Sequence, residues 1–312
     1  LVEAGMCRQN NVVATYTKNV LDVVFGSVVS YAWGYYLSYG EDPSTTSDQE
    51  IMTHFFHHLV FQATSATIIS GAMAERTTLH AYIWIAVFVS GVPFSLAVRW
   101  TWGGGWLSQL EPPFHDFAGG SVVHVVGGVA ALAGVYCVGP RSGRYSYGLR
   151  LDFLPHDVGS VLSGVLILWV CFYGFNSGST SGLTTEADVF AASNAAITTT
   201  MSAASAAVTA VIVSYFENVF RRQRQTVDAI SIANSILSGL VAMTCGADCI
   251  SPNLSILIGI GGMVSYKLGA VFLEWAKLDD IVEAFAVHGA AGIWGTLAVG
   301  FLHPEQGLVY RI

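Results

Sequence analysis

Charged side chains are scarce in this 312-residue sequence. They make up 11% of it, against 53% hydrophobic residues, and the mean hydropathy is +0.55. A soluble domain would carry about 25% charged residues, and a chain with so few has too little polar surface to stay in solution. The composition therefore argues against a large soluble all-α protein and predicts an all-α polytopic transmembrane helical bundle.

Motifs for catalysis and cofactor binding are also missing. No catalytic constellation, phosphate-binding glycine loop or nucleotide-binding motif is found, so we expect no enzyme, no cofactor, no nucleic-acid partner and no coupling to hydrolysis. The five cysteines form no metal-ligand pattern, and no metal site is predicted. Cys245 and Cys249 could pair, although two ordinary membrane cysteines are the favoured interpretation. No linker or composition shift divides residues 1–312, which are assigned to a single membrane domain.

Long apolar windows occupy most of the chain. Each is about 20 residues long, which is the length that crosses a bilayer as a helix. Nine complete spans are predicted, near residues 12–38, 51–74, 80–101, 118–138, 155–176, 189–214, 229–246, 252–274 and 282–302. Residues 1–7 resemble the tail of an earlier span. Since neither a signal peptide nor an initiator methionine is present, the sequence is interpreted as a fragment.

Lysine and arginine are concentrated in alternate loops, which predicts the orientation. One set of loops contains Arg8, Lys18, Arg76, Arg141, Arg144, Arg150, Arg221, Arg222, Arg224 and Lys277. The other set contains Glu41, Asp42, Asp48, Glu50, Glu111, Asp116, Glu186, Asp188, Asp248 and Glu305, with Arg99 and Arg311 as its basic exceptions. The first set is predicted to be cytoplasmic and the second to face outside. The acidic outer loops account for most of the net charge of −8 and imply attraction of cations.

One stretch, DFAGGSVVHVVGGVAALAG at residues 116–134, places polar side chains in an apolar, glycine-rich run. Asp116 opens this stretch, and His124 follows two helical turns later. Gly120, His124 and Gly128 are spaced four apart, so a helix stacks them on one face. Because small residues let helices approach closely inside membranes, we expect His124 to face a helix contact or a narrow path, away from lipid.

The same pattern recurs near the end of the sequence, in EAFAVHGAAGIWGTLAVG. Asp280 lies eight residues before His288, as Asp116 lies eight residues before His124. If the partial first span is counted, His124 is on the fifth span and His288 on the tenth. Each half then has five spans, and the second half runs inverted. This predicts two inverted five-helix repeats with the functional site between them, a recurring plan in transporters.

The two histidines allow three interpretations. A lone histidine in an apolar helix usually serves packing. Neutral imidazole both donates and accepts, so two facing rings can pass a small hydrogen-bonding molecule without holding a charge. Equivalent positions in two inverted halves favour this second interpretation. A metal site is the third, but two histidines without nearby cysteine or carboxylate ligands make a poor one.

An aromatic group is predicted at the outer mouth of the bundle. Trp102 ends the fourth span outside, and Phe61 lies two to three turns inside the third span. Phe175 and Ser179 mark the outer end of the sixth span. Aromatic faces attract cations and a hydroxyl accepts an N–H bond, so a small ammonium ion suits such a site. In the alternative interpretation, each aromatic belongs to the belt at the level of the lipid headgroups.

Other polar side chains near the spans are assigned no role in transport. His54, His57 and His58 are interpreted as interfacial residues at the outer start of the third span. Lys267 lies inside the eighth complete span, about two turns from its cytoplasmic end, and can extend its amine to the interface.

Five motifs, DFAGGSVVH, WGGGWL, SGAMAERT, YGFNSGS and AVHGAAGIWG, together resemble the ammonium transporter (Amt/Mep/Rh) family. The WGGG and GFNSGS forms look like its Amt branch, and the likeness covers essentially the whole chain. It implies eleven spans in two inverted halves, a homotrimer in the cell membrane, and a pore for ammonium or ammonia within each subunit. By this likeness, the fragment lacks most of the first span and all of the last.

The resemblance also implies roles for residues at the outer mouth. Phe61 and Phe175 match the stacked pair that gates the pore. Trp102 and Ser179, with Phe61, match the site that recruits ammonium. Asp116 matches the structural or proton-handling acid behind that site.

Further inside, the resemblance implies that His124 and His288 are the paired imidazoles of the pore lining. Two positions differ from the common pattern of the family. Phe172 is found where many members have a pore-lining tryptophan, and His58 replaces a more usual glutamine beside the gate.

The function implied is selection of ammonium outside, followed by passage of a dehydrated species through an apolar pore. Passage of ammonia is favoured over passage of a bare cation, because a cation in an apolar pore is costly. Two alternatives are an ammonium sensor with little conduction and a gas channel of the Rhesus type.

Overall fold

The computed structural model describes residues 1–44, 49–145, 153–180, 182–220 and 228–310 of the chain, and helices dominate these residues. In chain order, the helices are α1 Val2–Met6, α2 Gln9–Tyr39, α3 Gln49–Ala72, α4 Leu79–Thr101, α5 Gly120–Val138, α6 Val158–Thr180, α7 Glu186–Phe220, α8 Ala229–Gly246, α9 Pro252–Trp275 and α10 Phe285–Leu302. A 3₁₀ turn, Leu308–Tyr310, follows α10. No strand occurs in the described ranges, and the predicted all-α class is confirmed.

Within the described residues, eight helices are long and apolar enough to cross a membrane, namely α2 and α4 to α10. The remaining predicted span, near residues 51–74, is α3, which has 24 residues but a lower hydropathy than the other eight helices. Polar residues such as His58 and Gln62 lower it, and both are fully buried in the bundle rather than exposed to lipid. Most predicted boundaries agree with the helices to within a few residues. The exception is 189–214, because α7 has 35 residues and a length of roughly 50 Å, more than a bilayer core requires.

One of the charges used for orientation lies in a different place from the one predicted. Lys18 is assigned by the sequence to a cytoplasmic loop, and this is wrong, because it lies within α2 and is 4% exposed. Its amine donates to the Ser70 carbonyl at 3.4 Å and lies over the Tyr82 ring, so protein groups replace its water. Asp48, Arg150, Arg221, Arg222, Arg224 and Arg311 lie outside the described residues, as does the side chain of Glu50. The orientation stays a prediction, and the end of the bundle that bears Trp102 and Asp248 is the outer end by that rule.

The two halves, α1–α5 and α6–α10, meet through equivalent helices. The short α1 packs on α6, where a Cβ on Gly164 would lie 2.8 Å from Val2. The fifth helices of each half, α5 and α10, cross with their backbones in contact. A Cβ on Gly128 would lie 2.3 Å from the Gly289 nitrogen, and one on Gly292 would lie 3.0 Å from the Gly120 oxygen. The small-residue faces predicted from the sequence therefore form the contact between the halves.

The inner end is held by a network of ion pairs. Arg8 donates its backbone N–H and its Nε to Glu75, both at 2.6 Å. Arg141 donates Nε and Nη2 to the two oxygens of Asp279, at 2.8 and 2.9 Å. Arg141 also lies 3.7 Å from Glu75. The network ties the loops after α1, α3, α5 and α9, so it joins segments from both halves.

Candidate functional site

Asp116 caps the start of α5. Its Oδ1 accepts the N–H groups of Gly119 and Gly120 at 2.9 and 2.8 Å, and its Oδ2 accepts those of Ser121 and Val122 at 2.8 and 3.0 Å. These are the N–H groups that the first turn of a helix leaves unpaired. Asp116 is 4% exposed, and its negative charge lies at the positive end of the helix dipole. Both carboxylate oxygens are therefore occupied by the start of the helix that they cap.

The same device recurs at the start of α10. Asp280 Oδ2 accepts the N–H of Phe285 at 2.9 Å. Both helices begin with a π-helical segment, Gly120–Val125 in α5 and Phe285–Ala290 in α10, and each segment carries a histidine. Such π-helical turns are rare and are concentrated at functional sites. The repeat is therefore present in backbone geometry as well as in residue spacing.

His124 and His288 face each other between the halves. Their Nδ1 atoms are 3.1 Å apart, and their rings lie 5.2 Å apart at an angle of 15°. One Nδ1 must donate and the other accept, so a neutral pair shares a single proton between them. The Nε2 of His124 is buried and has no hydrogen-bond partner among the described residues. A neutral pair thus presents one Nε2–H donor and one Nε2 acceptor.

A cavity of about 230 Å³ adjoins the histidine pair. Its lining is largely apolar and includes Leu237, Val287 and Phe172 with both imidazoles. The ring of Phe172 stacks on His124 at 5.6 Å and 11°. Phenylalanine here supplies an aromatic face without the N–H group that a tryptophan would bring to the apolar wall.

Phe61 and Phe175 form a stacked pair on the outer side of this cavity. Their ring centroids are 4.2 Å apart and the rings are inclined by 15°. Phe61 is 2% exposed. Phe175 lines both the inner cavity and a larger one of about 610 Å³ that also contains Phe61. The stacked pair therefore lies at the junction between the two cavities.

The outer cavity is lined by Trp102, Ser179 and Phe61, together with His57. Trp102 Nε1 donates to the carbonyl oxygen of Asp116 at 2.7 Å, which fixes the indole ring edge-on to Phe61 at 6.0 Å. Ser179 Oγ donates to the Phe175 carbonyl at 2.8 Å. One of its lone pairs faces His57 Nε2 at 3.4 Å, and the other remains available to a donor in the cavity.

From the sequence, His57 is interpreted as interfacial, and its place in the outer cavity is not predicted. Its ring lies 4.0 Å from that of Phe61, and its Nε2 lies 3.4 Å from Ser179 Oγ. His57 and Phe61 are four residues apart and share a helical face, a spacing from which the placement could have been found.

His58 is also not interfacial, and it lines neither cavity. It is 2% exposed and bonds the hydroxyls of Ser30 and Ser38 at 2.9 Å each. Since successive residues of a helix are about 100° apart, His58 points to a different face of α3 from His57, towards α2.

A family model described as the Ammonium Transporter Family matches residues 1–310. The chain belongs to the ammonium transporter family. The resemblance carried by the five sequence motifs is thereby confirmed, and with its spans the chain is a multi-pass membrane protein.

The sequence is also similar to individual ammonium transporters. The chain is 36% identical over 331 residues to ammonium transporter Amt2 of Archaeoglobus fulgidus, with 99% of this chain and 68% of that protein covered. Ammonium transporter 3 of Dictyostelium discoideum is 32% identical over 314 residues, with 96% of this chain and 71% of that protein covered.

Solved structures show the same architecture. A structure described as a sensor Amt protein matches with a TM-score of 0.87 and 30% identity, over 97% of this chain and 77% of that one. Mep2 of Saccharomyces cerevisiae matches with a TM-score of 0.80 over 99% of this chain and 73% of that one. Its identity is 20%, so this second likeness shows the fold alone.

Proposed function

We propose that this chain conducts ammonium or ammonia across the membrane along one path, from the outer cavity through the phenylalanine pair into the histidine-lined cavity. The observation that carries the proposal is the junction of the two cavities at Phe175, beside the imidazole pair of the buried His124 and the partly buried His288. A stacked ring pair can swing aside for a small molecule while it excludes a continuous water column.

Ammonium is recruited in the outer cavity. The faces of Trp102 and Phe61 attract a cation, and a lone pair of Ser179 accepts an N–H bond from it. Because the Ser179 hydroxyl donates to Phe175, the His57 Nε2 that faces it is a donor, and Nδ1 is the nitrogen of the neutral His57 ring that can accept. These groups lie at the end of the bundle with acidic loops, where cations are concentrated.

Ammonium gives up a proton to water in the outer cavity, and the species that moves beyond the phenylalanine pair is ammonia. The inner cavity is apolar, and an ammonium ion that left its water behind would pay a large desolvation cost there. Ammonia needs only a few hydrogen bonds. The donor and the acceptor that a neutral His124–His288 pair presents supply them without a net charge.

Asp116 acts through structure. Each carboxylate oxygen accepts two backbone N–H groups, and the Ser121 hydroxyl also bonds Oδ2. Its carbonyl holds the Trp102 indole. Asp116 thereby sets both the start of α5 and the orientation of the recruiting ring. We propose a homotrimer of such subunits, each with its own path.

Uptake of labelled methylammonium by cells expressing Trp102→Ala, Ser179→Ala and the double variant tests this function. Loss of a partly desolvated cation–π contact of about 2 kcal/mol raises the half-saturating concentration roughly 30-fold for Trp102→Ala. Trp84→Leu is the matched control, because that indole is 75% exposed on the outside of the bundle. Half-saturation unchanged in the double variant, at normal surface expression, contradicts recruitment at this site.

A second candidate is an ammonium sensor with little conduction, favoured by the match to a structure described as a sensor Amt protein. Both functions need the outer site, so Trp102→Ala does not separate them. Isotope flux through purified protein in vesicles does, since a sensor binds ammonium without accumulating label.

A further inference from the structure

Four potential metal ligands converge at the outer end, away from the path described above. His115 precedes the Asp116 cap, Asp248 and Cys249 lie between α8 and α9, and His303 follows α10. One donor atom from each of His115, Cys249 and His303 lies within 4.8 Å of the others. Because the four residues come from three distant segments of the sequence, they form no metal-binding spacing motif.

His115 is at the centre of the group. Its Nε2 lies 3.0 Å from Asp248 Oδ1 and 3.7 Å from Cys249 Sγ. A tetrahedral Zn²⁺ with ordinary bond lengths holds its nitrogen and sulfur ligands about 3.6 Å apart. The nitrogen and sulfur atoms therefore already have nearly the separation that one ion requires, and the nitrogen and oxygen atoms are closer, at hydrogen-bond distance.

We propose that His115, Asp248 and Cys249, with His303 as fourth ligand, form an outer binding site for a zinc-like divalent transition metal. Imidazole, thiolate and carboxylate together suit Zn²⁺, whereas a hard cation such as Mg²⁺ prefers oxygen ligands. His303 is the weakest of the four. Its Nδ1 accepts the N–H groups of Glu305 and Gln306 at 3.2 Å each, so the neutral ring carries its proton on Nε2. A metal bound at Nε2 requires that proton to move to Nδ1, which breaks these two hydrogen bonds.

Contacts within the protein already hold the segments that carry these ligands. Phe117 donates its N–H to the Cys245 carbonyl at 2.9 Å, so the segment after His115 is fastened to the end of α8. His115 and Asp248 retain 27% and 19% side-chain exposure, so ions reach the site from solution.

The position of the site gives it a consequence for transport. His115 is joined directly to Asp116, whose carboxylate caps α5 and whose carbonyl holds Trp102. A bound ion ties this connection to the ends of α8 and α10, and so restricts the element that orients the recruiting ring.

The test uses the full chain in lipid nanodiscs and measures Zn²⁺ binding by competition with a chromogenic chelator. One Zn²⁺ per chain is expected, and Cys249→Ser should weaken binding by more than about 100-fold, beyond what loss of a second-shell partner causes. Cys137→Ser and His80→Ala are the controls, because both residues are exposed and lie outside the cluster. Equal binding by the wild type and Cys249→Ser overturns the proposal, since it leaves only surface histidine binding.

Cobalt on the unmodified protein provides a second measurement that needs no variant to fold. Co²⁺ bound here shows a thiolate-to-metal charge-transfer band and the intense visible bands of tetrahedral coordination, and added Zn²⁺ abolishes both. Co²⁺ spectra without a thiolate band overturn the proposal. This test does not depend on transport, so it separates failure of the metal site from failure of the proposed function.

Discussion

At the scale of single residues, the path depends on groups that have few alternative partners. The 3.1 Å contact between the Nδ1 atoms of His124 and His288 leaves only the two Nε2 positions to serve a passing molecule. Apart from these two histidines, the lining of the inner cavity is mainly apolar. The polarity of the inner cavity therefore depends strongly on these two rings.

We expect His124→Ala and His288→Ala to alter ammonium-over-potassium selectivity, because each removes a polar group from an apolar lining and opens space for water. The loss of one hydrogen bond of about 1–1.5 kcal/mol corresponds to roughly a tenfold change in this ratio. Ion flux into vesicles at equal protein content measures it, with the exposed His80→Ala as control. Unchanged discrimination in both variants would count against the lining role.

Asp116 can be tested for structure against proton handling. Asp116→Ala leaves four N–H groups between Gly119 and Val122 without their acceptor, at a cost of about 1–3 kcal/mol for each buried group. Uptake should be abolished. Asp116→Asn retains one acceptor oxygen, so a structural role predicts partial uptake, whereas a role in proton transfer predicts none.

Both Asp116 variants need surface expression measured beside uptake of labelled methylammonium. Full activity of Asp116→Ala at normal expression refutes the role of the cap.

At the scale of elements, α5 and α10 determine how close the two histidines come. These helices approach through glycine on both sides, at Gly128 and Gly289. A side chain at the crossing would separate the backbones and move the two imidazoles apart. The distance between the rings is therefore a consequence of residues that carry no functional group.

Gly128→Ala should impair uptake and lower thermal stability, because its Cβ would lie 2.3 Å from the backbone nitrogen of Gly289 and neither backbone can yield cheaply. An overpacked core typically loses about 1–3 kcal/mol. Gly300→Ala is the matched control, since it lies on α10 with no atom within 4 Å of the new Cβ. Thermal unfolding in detergent and uptake in cells give the comparison, and equal behaviour of the two variants would show that the crossing tolerates a methyl group.

At the scale of the whole molecule, the inner ion network joins the halves. Burial alone would raise the pKa of Glu75 and of Asp279. Hydrogen bonds from Arg8 to Glu75 and from Arg141 to Asp279 outweigh burial and lower both pKa values. A depressed folded-state pKa contributes stability that is present above the unfolded value and lost as pH falls through the folded one.

Asp279→Ala should therefore destabilise the protein by about 3–5 kcal/mol near neutral pH, because it removes the carboxylate that binds the buried Arg141 guanidinium and leaves only its longer contact with Glu75. The difference from the wild type should shrink as pH falls below about 4, the pKa of an aspartate in the unfolded chain, because unfolding of the wild type then takes up a proton that the paired Asp279 does not hold. Thermal unfolding in detergent across this range measures it, with Glu41→Gln at an exposed outer position as control. A difference that stays constant down to pH 3 would contradict the linkage.

Much of this architecture follows from the sequence alone. Apolar windows predicted each helix from α2 to α10, because the cost of exposing polar groups to lipid acts on every span separately. The eight-residue spacing from aspartate to histidine, which occurs at Asp116 and again at Asp280, predicted the two halves, because each occurrence is a short pattern readable in one segment. The burial of Lys18 and His58 was not predicted. A buried polar side chain is stabilised by partners on other helices, and hydropathy along the sequence contains no information about those partners.

By itself, the sequence determined the membrane class, the order of the spans, the inverted repeat and the motifs of the family. Only the tertiary structure decided that His57 joins the outer cavity, that the two Nδ1 atoms meet at 3.1 Å, and that His115, Asp248, Cys249 and His303 come together. The physical reason is that the two kinds of interaction act over different separations along the chain. Transfer to lipid acts on each segment independently, whereas contacts among distant side chains depend on how the helices are rotated and how closely they pack.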